Sequence, residues 1–471
     1  MFIDLDLKPL KSTAMIDDNG RQASYEDILN FKQELTDLVK PRSIILMLTE
    51  NTVGACLAYA AAVAAKFVPL ILNHSMPKDM IDNLINSYNP GYIWLPDALI
   101  GSFPYTAVFN KYGYTLLKTE LTPYPLYDDL SMLLPTSGST GSPKLVRHSY
   151  TNIEANAKAV SKVFGFNSNS RGLMSLPLSF TQGLNVATSH LYVGGTVLLT
   201  GAALTSKEFW NFLKAEKAES ITGVPYSFEV LKRIRFFQMD LPHLKIINQG
   251  GGRLTKELFE DCAKYALEKD CKFIPTYGAT ETTSRMAYLP PDMALSKNGS
   301  IGRPLPGCSL TLIDDNGNEI SEPNQTGEIV FNGPNVTLGY AEQGRDLILG
   351  DTRNGSYKTG DIAYKDEDGC FFITGRKSRF LKLYGFRVSL DETERMIKSN
   401  LEIDCACIGT DKQMYVFTTQ ADDSIINLLS QNIGIPKDAF SVRKIEIIPK
   451  NSNNKTHYSE LESIIKSEEH Q

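Results

Sequence analysis

The sequence predicts an α/β chain: a large N-terminal domain of α/β sheets with a β-subdomain, then a small C-terminal α+β domain. Three observations carry this. Strand-like and helix-like segments alternate through about the first 300 residues, the pattern of largely parallel sheets. From about Ser300, strands alternate apolar with polar residues between turns rich in Gly, Asn and Asp, which reads as antiparallel. After Gly375 a cationic stretch, residues 376–382, leads into a last unit of mixed helices and strands.

Each element has a local reason. Residues 43–49 form a short apolar run and predict a strand. Residues 53–72 are the most apolar stretch, but Lys66 interrupts them and Pro69 follows. They read as a buried helix over 53–65 and a strand over 67–72, not as a membrane span. Residues 131–135 predict a strand and Tyr150 starts a helix, with Thr151 and Glu154 expected as its capping box. Strands follow at 193–200 and 245–248, then at 309–313 and 327–332. A hairpin covers 361–374 and turns at 366–369. The last unit predicts helices near 390–398 and 423–432 and strands near 405–409 and 414–419, with Ser389 and Glu392 suited to another capping box. The domains are therefore expected at 1–377 and 379–471, with the boundary at Ser378.

Composition narrows the class. The 471 residues are 42% hydrophobic and 22% charged, ordinary for a globular chain and incompatible with disorder. The net charge of -6 lacks the basic excess that nucleic acid or an anionic membrane surface calls for. The seven cysteines form no C-x-x-C pair, Cys405 and Cys407 being nearest. A disulfide framework is not expected, and the natural compartment is the cytoplasm. Residues 1–8 alternate apolar with charged residues and lack a signal peptide's apolar centre.

The most informative segment is Thr136, Ser137, Gly138, Ser139, Thr140, Gly141, Ser142, Pro143 and Lys144, which follows an apolar strand. The glycines let backbone N–H groups converge on an anion, the hydroxyls add donors, and Lys144 adds positive charge. This is the chemistry of a polyphosphate cradle, without the spacing of a Walker A loop.

Residues 134–144 resemble the signature loop of the adenylate-forming enzymes: acyl-CoA synthetases, nonribosomal peptide adenylation domains and luciferases. Further matches follow in order: Tyr277-Gly278-Ala279-Thr280-Glu281-Thr282, Tyr357-Lys358-Thr359-Gly360-Asp361, then Gly375-Arg376 with Lys382 and Gly385-Phe386-Arg387-Val388, and residues 449–455. Gly302-Arg303-Pro304 and Gly327-Glu328-Ile329 also fit. The resemblance spans nearly the whole chain. It implies ATP binding by residues 136–141 and Lys144, Gly251, Gly252, Tyr277, Gly278, Thr280, Asp361 and Arg376. Tyr277 offers adenine an aromatic face. Thr280 reaches a phosphate, and Glu281 supplies a hard oxygen to Mg²⁺. Asp361 accepts from the ribose hydroxyls, and Arg376 forks onto ribose or phosphate. Lys455 is the implied catalytic lysine, offsetting repulsion between the acid and the α-phosphate of ATP. Phe180, Gly183, Val224, Gly250, Gly251, Ala279 and Met286 are the implied acid-pocket walls. They are apolar or small and favour an apolar acyl or aryl acid. Lys382, Tyr384 and Gly385 are implied in the thioester step.

Departures at three places matter. Asn454 stands where the family usually has Gly, and Asn tolerates the left-handed region. Phe180 stands where many acyl-activating members have His. Thr181 replaces the Asp that pairs a substrate ammonium, so an α-amino acid is disfavoured. Ser378 stands where the hinge is more often Asp or Lys. The implied activity is an ATP- and Mg²⁺-dependent acid–thiol ligase. It makes an acyl-adenylate, then a thioester with coenzyme A or with the phosphopantetheine of a separate acyl carrier protein. The rivals are an amino-acid adenylation enzyme that loads a carrier protein and a catalytically silent binder, the latter opposed by the presence of Glu281, Asp361, Arg376 and Lys455 together. A nicotinamide dehydrogenase lacks a third Gly at the right spacing after Gly250 and Gly252.

Overall fold

Six consecutive buried residues, Ile44–Thr49, place a fully apolar strand at the centre of a parallel arrangement, as such strands require cover on both faces. A computed structural model of the chain describes residues 2–135, 144–384, 386–420, 424–451 and 455–469. Ile44–Thr49 pairs in parallel with Val68–Asn73 and with Tyr92–Pro96. Antiparallel strands finish this eight-stranded sheet, whose order runs from Gly339–Ala341 and Leu145–Ser149 through Leu130–Pro135 to the far rim at Thr106–Lys111. A nine-stranded sheet has parallel pairs through Thr13–Asp17, Thr196–Leu199, Arg171–Met174, Ser220–Gly223, Ile246–Gln249 and Lys272–Tyr277. The α/β class is as predicted.

Helix Val53–Ala64 is buried on nearly every side, as its Ala-rich, uncharged sequence allows. A Cβ at Gly54 would lie 2.6 Å from Tyr114, so only glycine permits this approach, and Trp94 donates to the Gly54 carbonyl at 3.1 Å. Among the described residues, no helix is long and apolar enough to cross a membrane. Helix Tyr150–Phe164 begins as expected but is capped differently. Ser149 accepts from the Asn152 N–H at 3.1 Å and Asn152 returns the bond at 2.9 Å, so Thr151 and Glu154 are not the capping box. The buried Ser149 ends the preceding strand and also caps the helix, two residues before the expected cap at Thr151.

Two compact units emerge: Met1–Leu310 with Phe331–Tyr357, and Thr311–Val330 with Lys358–Gln471. The first is held by clusters around Phe31, Trp94 and Tyr59 and around Leu46, Leu70 and Leu133. The second contains the hairpin that pairs Asp361–Lys365 with Phe371–Arg376 and a three-stranded sheet, Cys405–Thr410, Gln413–Thr418 and Phe440–Lys444. Helices Leu390–Leu401 and Ser424–Ile433 pack there around Ile397, Val416, Ile425 and Leu429. Packing thus groups residues 311–330 and 358–377 with the C-terminal residues, whereas the sequence reading placed its division at Ser378, where the cationic stretch leads into the last unit. Ser378 itself lies exposed in a single turn, Lys377–Arg379, inside the second unit. Eight of the nine expected cradle residues, 136–143, lie outside the described residues, as do Gly385 and Asn454.

Candidate active site

In the first unit, strand Lys272–Tyr277 delivers its last residue to a tight turn. Gly278 makes that turn possible, since a Cβ there would sit 1.6 Å from the Ser284 carbonyl oxygen. One turn of 3₁₀ helix, Thr280–Thr282, follows, and Thr283 takes a left-handed conformation at φ 65°. That conformation is unfavourable for a β-branched residue and persists only where its surroundings enforce it. Here they do. Thr283 Oγ1 donates to the Asn335 carbonyl at 2.8 Å, and Asn335 Nδ2 donates to the carbonyls of Thr282 and Arg285 at 2.8 and 3.0 Å.

The turn presents Glu281 half-buried. Its backbone carbonyl accepts from Thr337 N, Thr337 Oγ1 and Arg353 Nη1 at 3.0, 2.9 and 3.1 Å. Its Oε1 accepts from the Tyr340 hydroxyl at 2.7 Å. The Tyr340 ring in turn carries two cations, Lys144 Nζ 3.6 Å and Arg353 Cζ 4.5 Å from its centroid. Lys144 also lies 3.8 Å from Glu342. Burial, then the neighbouring Glu281, pushes the Tyr340 phenol up to about 12, so it remains a donor at neutral pH. A hard carboxylate with one oxygen engaged by a phenol fits Mg²⁺, which takes one or two protein carboxylates and leaves the rest to phosphate oxygens and water.

The expected acid-side residues gather at the ends of the parallel strands. Phe180 precedes helix Thr181–Val193. Gly183 is glycine for packing, since a Cβ would lie 2.5 Å or less from the carbonyls of Leu176 and Pro177. Val224 packs beside Gly251, which has φ 78°, and Pro225 beside Gly252. Met286 is fully buried and donates to the Tyr277 carbonyl at 2.7 Å. Polar groups stand among these walls. The Gln182 amide and Thr276 Oγ1 crowd the space beside Gly250, 2.1 and 2.9 Å from where a Cβ would be. Arg285, 2% exposed, donates to Asn248 Oδ1 at 2.6 Å. Burial pulls its pKa down to about 9, which still leaves it a cation at neutral pH.

In the second unit, the hairpin register sets Asp361 opposite Arg376, with Nε 3.1 Å from Oδ1. The Asp361 side chain is 11% exposed and that of Arg376 64%, so the guanidinium keeps a face toward solvent. The Lys450↔Thr456 bridge and the bonds Asn451 N to Lys455 O (2.8 Å) and Lys455 N to Asn451 Oδ1 (3.0 Å) pin the loop that carries Lys455. Although Lys455 keeps exposed surface, burial around its ammonium lowers its pKa. Arg376 pushes the same way and Asp361 opposes. Asp361, Arg376 and Lys455 are thus electrostatic neighbours. Lys382 is exposed, its N–H bonded to Asp411 at 2.7 Å, and Tyr384 is 58% exposed with φ 51°.

These sites belong to a known class. A family model described as AMP-binding enzyme matches residues 8–341, and the chain belongs to that family. It is an AMP-forming acid–thiol ligase that uses ATP to activate a carboxylic acid as an acyl-adenylate and pass it to a thiol. Among similar proteins are two 2-succinylbenzoate–CoA ligases. That of Geobacillus sp. (strain WCH70) is 28% identical over 365 residues, 74% of this chain and 72% of its own. That of Listeria monocytogenes serotype 4b (strain F2365) is 25% identical over 471 residues, 96% of each. The O-succinylbenzoate coenzyme A synthetase (MenE) from Bacillus subtilis, in complex with AMP, shares the fold at a TM-score of 0.78 and 21% identity. That match covers 97% of this chain and 96% of the other.

Sequence reasoning missed Asn335, Thr337, Tyr340, Arg353 and Arg285. Only Arg285 carried a signal, a cation four residues after Glu281 in a stretch otherwise made for burial.

Proposed function

We propose that this ligase joins 2-succinylbenzoate, or a close aryl keto-acid, to coenzyme A. The carrying observation is the rigid turn that holds the Glu281 carboxylate against Tyr340 beside Lys144, an arrangement suited to ATP with its metal. The names of the relatives support this acid and acceptor. A separate carrier protein is not favoured, and Thr181 counts against an amino-acid substrate.

In the first step a carboxylate oxygen of the acid bonds to the α-phosphorus of ATP, and the bond to the departing pyrophosphate breaks. Lys455 offsets the repulsion between the two anions and steadies the charge that develops. Lys144 and Thr280 hold phosphate oxygens, and Glu281 would hold Mg²⁺, which supplies charge neutralisation when bound. Asp361 takes the ribose hydroxyls, Arg376 swings from its pairing with Asp361 to ribose or phosphate, and Tyr277 stacks on adenine. In the second step the thiol sulfur bonds to the acyl carbon, AMP leaves as the C–O bond breaks, and the thiol proton passes to solvent. Lys382 and Tyr384 serve that step, with Ser378 as the hinge. The reaction is placed in the cytosol, in keeping with seven free cysteines. Incubation with ATP, Mg²⁺, CoA and 2-succinylbenzoate, with thioester read by chromatography, tests the reading. AMP and pyrophosphate without thioester would overturn the acceptor, and no adenylate with any acid would overturn the whole.

A further inference from the structure

Lys455 sits on a loop that is closed by its own bonds. Lys450 bridges Thr456, Asn451 and Lys455 exchange bonds at 2.8 and 3.0 Å, and His457 N donates to the Pro449 carbonyl at 2.8 Å. Those bonds shape the loop but do not set how it stands on the second unit. Ile448 before it and Leu461 after it join the apolar cluster around Phe417. Such packing is non-directional and fixes depth more than orientation. Orientation needs a group of fixed geometry, and one stands three residues after Lys455.

Tyr458 opens helix Tyr458–Glu469, and the Arg379 guanidinium lies over its ring, with Cζ 3.7 Å from the centroid. The Tyr458 hydroxyl donates to Glu394 Oε2 at 3.0 Å. Arg379 is held at every nitrogen: Nη2 donates to Glu394 Oε1 at 2.6 Å, Nη1 to the Cys407 carbonyl at 3.2 Å, and Nε to Asp391. Cys407 N closes the network by donating to Glu394 Oε1 at 2.7 Å. The Arg379 and Glu394 side chains are only 12% and 18% exposed. Burial, then Glu394, raises the Tyr458 phenol, so it stays a donor. A buried ion pair gains little over an apolar filling of the same volume. What it does give is direction, because a planar guanidinium fits one arrangement of carboxylates and one ring face. That direction passes from helix Leu390–Leu401 and strand Cys405–Thr410 to the residue that follows the Lys455 loop.

We propose that Tyr458 and Arg379 are positioning residues for adenylation, and that their stack, tied by Glu394, sets where the Lys455 ammonium stands. This rests on the ligase reading above and on its assignment of Lys455 to the first step.

Two assays test it: exchange of labelled pyrophosphate into ATP driven by 2-succinylbenzoate, and thioester formation from CoA and the supplied acyl-adenylate of the same acid. Tyr458→Leu removes both the stack and the hydroxyl. It is expected to lower kcat for exchange by about 10- to 100-fold, as a misplacement of about 1 Å would, with KM for ATP near the parent's and thioester formation within about threefold. Tyr458→Phe keeps the ring and is expected to lose less. Arg379→Lys loses the planar fork and is expected to resemble Tyr458→Leu. In the Lys455→Ala background, Tyr458→Leu is expected to cost nothing further, since the group it aims is gone. Tyr458→Leu at the parent's exchange rate refutes the proposal. So does an equal fall in both half-reactions, which a purely structural role produces, and so does the same fold-loss on top of Lys455→Ala. Should Arg379→Lys fail to fold, the tyrosine variants still decide. Lys455→Ala at the parent's exchange rate would instead overturn the lysine assignment, and this inference with it. Exchange with no acid refutes the ligase reading itself.

Discussion

Replacing Tyr340 by phenylalanine removes one hydroxyl and little else. The ring stays between Lys144 at 3.6 Å and Arg353 at 4.5 Å, so both cation–π contacts survive. What goes is the 2.7 Å bond to Glu281 Oε1. Hydrogen bonds to charged groups contribute about 1.5–3 kcal/mol, so the carboxylate loses orientation worth about 10- to 100-fold. If Glu281 presents Mg²⁺ to ATP, that loss must appear as a raised Mg²⁺ requirement. The assay is acid-dependent pyrophosphate exchange at fixed ATP across a range of free Mg²⁺. Half-saturation is expected to move up by about 10-fold or more, with much of the rate recovered at high Mg²⁺. Tyr340→Leu, which also loses the aromatic face, is expected to do worse and to lower stability. A Tyr340→Phe enzyme with the parent's Mg²⁺ dependence would refute the idea that this phenol aims Glu281.

Other outcomes follow from the same geometry. Lys455→Ala is expected to slow adenylation by about 10²–10³-fold while sparing thioester formation from a supplied acyl-adenylate, and equal loss of both would contradict its assignment to the first step. Since burial and Arg376 lower the Lys455 pKa, its cation is complete below that lowered value and is lost as pH rises through it. The adenylation rate should therefore fall on the alkaline side before the ordinary lysine value of 10.5, and Lys455→Arg should move that limb upward. Gly278→Ala puts a Cβ 1.6 Å from the Ser284 oxygen, so the turn must move, and thermal unfolding should show a loss of roughly 1–3 kcal/mol or more together with lost ATP binding. Ser378→Pro is expected to leave adenylation largely intact and to slow the thioester step.

Much of the fold was legible because its signals are local. The uncharged run that becomes helix Val53–Ala64 and strand Val68–Asn73 announced itself by composition, with Lys66 and Pro69 marking the break. Ser389 caps helix Leu390–Leu401, accepting from Glu392 N at 3.2 Å, which is one of the two bonds of the expected capping box. The cap at Ser149 was misplaced because a strand end and a helix start share one residue there. At the site, motif residues were legible and their supports were not. Tyr340 meets Glu281 across 59 positions, and Asn335 braces Thr282 across 53, contacts that no local pattern encodes. The expected apolar pocket walls were read from motif positions alone. The side chains of Gln182, Asn248 and Arg285, which make that region polar, come from a helix, a strand and a turn between those positions.

One measurement tests the central claim most directly. Labelled pyrophosphate should exchange into ATP only when a carboxylic acid is added, with 2-succinylbenzoate expected to drive it and α-amino acids to leave it at background. Exchange that is absent with every acid, from folded protein that still binds ATP, would contradict the assignment of this chain as an acid-activating ligase.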